Sequence, residues 1–190
     1  KDVLFVLVET WRSTAFNPEL MPGLTAFTKR RPVILSEHHF PGSHCTQYGV
    51  FSYLYGVSPF HYAVLRDGNV PSFPLSVLKQ SGYTLHGFCS ASLRNWGKAG
   101  FIISQFTDYK EIIKDQTSFA DQEMIADVVK LLKTPSDHPR FIFMFVNSTH
   151  QSYYYPKEFE KYTPVMSDNF NHMQGEDAFR KSKDVLYNRY

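Results

Sequence analysis

Apolar residues arrive early in this chain. VLFVLV, residues 3–8, is an unbroken run of six, too short for a helix and of the kind a strand buried on both faces carries. Further strand-like runs follow at 33–35, 84–88 and 141–146. Between them lie segments whose apolar residues recur at helical spacing. These are 22–29, opened by Met-Pro; 46–55, with Val50, Phe51, Leu54 and Tyr55; 73–80, stopped by Ser81-Gly82; and 119–133, with Met124, Ile125, Val128, Val129, Leu131 and Leu132. Strands alternating with helices predict an α/β domain, a mostly parallel sheet sandwiched by helices. Residues 156–183 are more polar and aromatic and read as an excursion before a last amphipathic helix containing DVLYNRY. There is no internal repeat and no low-complexity tract. Both ends read as cut, so residues 1–190 are expected to be a portion of one longer domain.

Composition narrows the class. With 190 residues, 43% hydrophobic and 20% charged, the chain can bury the core of one α/β domain. The net charge of +2 is spread over interspersed signs, and the one basic cluster is Lys29, Arg30 and Arg31, which argues against a nucleic-acid partner. No apolar run reaches bilayer-spanning length and no signal-peptide pattern opens the sequence. Cys45 and Cys89 are too few for a disulfide framework and lack zinc-site spacing. Two core or loop thiols is the plainer expectation, and a single bridge between them stays open.

In parallel sheets, chemistry gathers beyond the carboxyl ends of the strands, where helix N-termini and loop amides converge. The first strand runs out into Glu9-Thr10-Trp11-Arg12 and the run 141–146 into Asn147-Ser148-Thr149-His150. Glu9 has two readings: a carboxylate paired with Arg12, or a ligand for a hard cation. The run 84–88 carries His86-Gly87. In HCTQYGVFSYLYG, residues 44–56, Thr46 opens a helix, where a hydroxyl lies among unpaired amides able to hold an anionic oxygen. It reads either as an N-cap or as a nucleophile, and a threonine nucleophile needs a metal or base. Cys45 competes for that role without a recognisable His and Asn partnership.

In order along the chain, VLFVLVETWR, MPGLTAF, HCTQYGVFSYLYG, GYTLHGF and FIFMFVNSTHQSYYYPKEF resemble the N-terminal part of a sulfatase-like member of the alkaline phosphatase superfamily. The branch is that of lipoteichoic acid synthases, phosphoethanolamine transferases and Gram-negative inner-membrane sulfatase-like proteins. The resemblance implies an alkaline phosphatase-like but incomplete fold, with Glu9 as a metal ligand and Thr46 as both nucleophile and metal ligand. His150 is implied as a substrate-binding residue, and His86 and Trp96 as further substrate contacts, with Lys98 beside them. The Cys-x-Pro-x-Arg signature of formylglycine sulfatases is absent after Cys45, so that chemistry is not expected.

The family's later metal ligands, an Asp-His pair at the end of a strand followed by Gly, have no counterpart in this sequence. The resemblance therefore implies part of a metal-dependent hydrolase or transferase acting on phosphate or sulfate esters, on envelope lipids or glycans. A divalent cation (Mn, Mg, Zn or Ca) would be held weakly by these residues alone. The parent protein is expected in a bacterial inner membrane through segments outside this chain, with this domain on the periplasmic or extracellular side. A second expectation is a catalytically inactive sulfatase-like domain of a membrane-anchored regulator, binding lipid or a protein partner. A third is an unrelated flavodoxin-like binding domain with Thr46 as an N-cap.

Overall fold

A computed structural model describes residues 1–36, 39–95, 99–151 and 153–166. Its centre is a four-stranded, wholly parallel sheet in the order β1-β4-β2-β3, formed by β1 (Val3–Val8), β2 (Thr84–Cys89), β3 (Asp108–Glu111) and β4 (Arg140–Val146). β4 lies between β1 and β2, pairing Phe143 with Phe5 on one side and with Gly87 on the other. It is therefore covered on both edges and both faces, which is why RFIFMFV is apolar almost throughout rather than alternating.

The alternation within β4 divides the core in two. Phe141, Phe143 and Phe145 face a large cluster built by α2 (Thr46–Tyr55), α3 (Tyr62–Asp67), α4 (Phe73–Gln80) and α5 (Gly100–Ile103). Ile142 and Met144 face α6 (Thr117–Lys133), whose Ala120, Met124 and Val128 are buried against them. The expected sandwich of helices on a parallel sheet is the observed one. The short α1 (Pro22–Arg30) buries no residue and stands at the periphery.

Two elements differ from expectation. Residues 33–35 form no strand: no sheet neighbour pairs with them among the described residues, and Ile34 is 99% exposed. The fourth strand is instead β3, DYKE, which has a single apolar residue because it is an edge strand with two of its four positions exposed. The expected helix at 184–190 and the residues before it from 167 lie outside the described residues. The start and end of α2 and α4 fall where the periodicity placed them. α2 closes on Gly56 in the left-handed region (φ 68°), with its N–H donating to Ser52 O.

β1 forms an edge of the sheet: β4 pairs with one side of it, and no strand pairs with the other side among the described residues. Its α6-side face is also open: Leu4 is 46% and Val6 43% exposed.

Candidate active site

The carboxyl ends of β1 and β4 are tied into one unit. Glu9 continues the pairing, its N–H donating to Val146 O at 2.9 Å. Thr10 then turns the chain with φ 47°, a conformation that costs a β-branched residue on the order of 1–3 kcal/mol. The turn is held from β4's side: Thr10 Oγ1 donates to the Thr149 carbonyl, and Thr149 Oγ1 donates to the Glu9 carbonyl. Glu9 is thus fixed at a strand end by its own backbone.

The facing element is the start of α2. Cys45, not Thr46, is the N-cap, with extended backbone and no side-chain cap bond, and Thr46 is the first helical residue. The N-cap reading of Thr46 is therefore corrected. Its hydroxyl is left for another partner and donates to Glu9 Oε1 at 3.2 Å. Neither the Thr46 nor the Gln47 amide has a hydrogen-bond partner among the described residues, as the geometry of a helix start dictates. The loop into α2 is packed closely: a Cβ on Gly42 would lie 2.7 Å from Ser52 Cβ, and Ser43 Oγ accepts from Cys45 N at 3.1 Å.

Burial pushes the Glu9 carboxyl up, against the Thr46 hydrogen bond and the charge of His150, which both favour ionisation. His150 thus lies within electrostatic reach of Glu9. Its own ring is engaged through Nδ1 with Gln151 O at 2.6 Å. Glu9 and Thr46 line a cavity of about 360 Å³ together with Trp11, His39, His44 and Tyr53. His39 Nε2 and Tyr53 Oη are 2.5 Å apart and their rings stack with centroids at 5.7 Å. Burial raises the Tyr53 phenol, so it is neutral near pH 7.

Not every candidate converges. Glu9 and Thr46 do, and His150 lies within electrostatic reach of Glu9. His86 does not: it lies mid-strand on β2, with Nε2 3.0 Å from Thr84 Oγ1 and Nδ1 3.2 Å from Asp108, and feels the charges of Arg140 and Asp2 at the opposite end of the sheet. Side chains alternate along a strand, and position 86 falls three residues short of the strand's carboxyl end. Trp96 and Lys98 lie outside the described residues. Both cysteines are free, so the open possibility of a bridge is closed: Cys45 is exposed, and Cys89 is buried with its thiol pushed up to about 12.

His39, Tyr53 and a buried carboxylate, Asp121, were not singled out by the sequence. Asp121 had a signal: it occupies the inward stripe of α6 three residues before Met124, where a charged residue has no place unless it is bonded.

The donor set can be tested against a divalent cation. Two oxygens each about 2.0–2.2 Å from one ion stand about 3–3.5 Å apart, and the Glu9 and Thr46 oxygens are 3.2 Å apart. The pair fits one edge of a coordination sphere. No group of three or more His, Cys, Asp or Glu side chains completes a sphere among the described residues.

No curated protein matches this chain in sequence. Among the solved structures that share its fold are two of the C-terminal periplasmic domain of EcEptC from Escherichia coli, one of them a complex with Zn. Each is 18% identical and covers 99% of this chain; the TM-scores are 0.66 and 0.62. The chain spans about half of their length, 54% and 55%. The family described as Sulfatase matches residues 1–188, nearly the whole chain that carries β1, α2 and β4. On that match the chain belongs to the sulfatase family.

Proposed function

We propose that this chain supplies the nucleophile half of a hydrolase or transferase for phosphate or sulfate esters, with Thr46 as nucleophile and Glu9 as its metal-binding partner. The observation that carries the reading is the 3.2 Å hydrogen bond from the Thr46 hydroxyl to the Glu9 carboxylate at a helix start inside a cavity. In it, Thr46 Oγ gives up its proton to solvent and forms a bond to phosphorus or sulfur in line with the departing ester oxygen, which leaves with the electron pair of the broken bond and takes a proton from water. The resulting threonine ester is then resolved by water or by an acceptor hydroxyl. The Thr46 and Gln47 amides, without partners among the described residues, supply donors to the oxygens that gain charge in each step.

Glu9 and Thr46 are the residues that would hold a divalent cation, which when bound lowers the pKa of the hydroxyl and neutralises negative charge. His150 supplies a substrate contact at the rim. The proposed location is the periplasmic or extracellular side of a bacterial inner membrane, and the substrate an envelope lipid or glycan ester. Support for the location is the description of the similar structures as periplasmic domains.

The test is turnover by the full-length protein of p-nitrophenyl phosphate, phosphonate and sulfate esters with manganese, magnesium or zinc, compared with Thr46→Ala and Glu9→Ala. Metal-dependent turnover lost in both variants is expected. Turnover indifferent to both substitutions, or none with any metal, overturns the reading.

A further inference from the structure

Asp121 is a carboxylate that the site's chemistry does not account for. It is 5% exposed, one turn into α6, and no ion pair with it exists among the described residues. A buried charge without a cation is costly unless strong donors surround it. Here the donors all come from one place, the loop that leaves β4. Oδ1 accepts from the Asn147 amide at 3.1 Å, and Oδ2 from the Ser148 amide at 2.9 Å and from the Ser148 hydroxyl. From the other side, Ser90 Oγ accepts from the same Asn147 amide at 3.0 Å and donates to Phe145 O at 3.1 Å.

The helix is also held on the sheet by apolar packing. Ala120, Met124 and Val128 already bury against Ile142 and Met144. What the bonds do fix is the two residues preceding Thr149. Thr149 in turn bonds the Glu9 carbonyl and accepts from Thr10, and Glu9 accepts from Thr46.

We propose that Asp121 is a positioning residue of the candidate site: its buried carboxylate clamps the loop after β4, so that Thr149 and Thr10 hold Glu9 within hydrogen-bond reach of Thr46. The inference rests on the reading of Thr46 and Glu9 as the reacting pair. Asp121 touches neither substrate nor reacting atoms and acts through Ser148 and Thr149. Asparagine in its place keeps the shape but turns one acceptor into a donor aimed at a backbone N–H, so one side of the clamp opens.

The experiment uses the full-length protein and Asp121→Asn, with Asp127→Asn as a control on the same helix, since Asp127 pairs with Lys110 outside this network. Amide hydrogen exchange is read over residues 9–12 and 147–151, and kcat and KM on the ester that the wild type turns over best. In Asp121→Asn, exchange in both segments is expected to rise by about tenfold, and kcat to fall on the order of tenfold with KM changed less than about twofold. Ser148→Ala, which loses only the hydroxyl contact, gives the same changes in smaller measure. Thr149→Ala lowers kcat similarly, and the double variant Asp121→Asn/Thr149→Ala falls no further than the worse single one.

Exchange over residues 9–12 unchanged in both Asp121→Asn and Ser148→Ala overturns the proposal, as does full multiplication of the two kcat losses. A wild type that turns over no ester overturns the proposed function instead. The exchange measurement then still decides whether Asp121 holds Glu9.

Discussion

Thr46, 37 residues beyond Glu9 in sequence, donates its hydroxyl proton to the one Glu9 oxygen that has a partner among the described residues. Glu9 is nevertheless raised, because burial outweighs that bond and the charge of His150. A carboxylate raised in the fold costs stability once it must ionise: the penalty is absent below the ordinary value near 4.5, grows as pH rises through the raised value, and is then constant. Metal-free Glu9→Gln is therefore expected to melt with the wild type in acid and above it at neutral pH. Under the proposed function, zinc or manganese should reverse the order by binding the carboxylate. Thermal melts across that range check this, and a variant less stable than metal-free wild type at pH 7 contradicts it.

Gly42 is expected to resist replacement. An alanine there brings its methyl to 2.7 Å from Ser52 Cβ on α2, and the loop or the helix start must move. Overpacking of this kind costs about 1–3 kcal/mol. Gly42→Ala should lower stability and, under the proposed function, turnover, and Gly42→Ala/Ser52→Gly should restore a large part of each. Equal damage in single and double variants would show that the close approach is not what matters.

Asp2 and Arg140 form an ion pair at the opposite end of the sheet, with Nη2 2.6 Å and Nε 2.9 Å from Oδ2, and the Asp2 carboxyl is held below its ordinary value chiefly by the hydrogen bonds from Arg140. A lowered carboxylate contributes stability above its unfolded value of about 3.8 and loses it as pH falls through the lower folded value. Asp2→Asn should thus be less stable than wild type at neutral pH and converge with it in strong acid. Urea midpoints at a series of pH values test this, and a gap constant down to the acid end refutes it.

Tyr53 lines the cavity without touching Thr46 in the described network, and it holds His39. Under the proposed function, Tyr53→Phe should lower kcat/KM on the order of tenfold through loss of the His39 orientation, with little change in melting temperature. Wild-type kinetics in this variant would remove His39 and Tyr53 from the site.

The sheet and its helices were legible because β1 and β4 are apolar runs flanked by helical periodicity. β3 was not, since an edge strand of sequence DYKE carries too little apolar character to announce itself. Glu9, Thr46 and His150 could be read as candidates from their places at element ends, where a polar residue abruptly follows or precedes an apolar run. His86 lies apart from Glu9 and Thr46 because a motif gives position along a strand only approximately, while the side chain's face and its distance from the strand end decide what it meets. His39 and Tyr53 meet across 14 residues of loop and helix, a relation that no periodicity encodes.

The open side of β1 has a consequence for handling the protein. Along a parallel strand half of the N–H and C=O groups point away from the neighbour, and on β1 those groups meet no other strand among the described residues, beside the exposed Leu4 and Val6. Such an edge is a template for another extended chain. Protein consisting of these 190 residues alone is expected to associate with concentration, and light scattering should fall when Leu4 or Val6 is replaced by lysine.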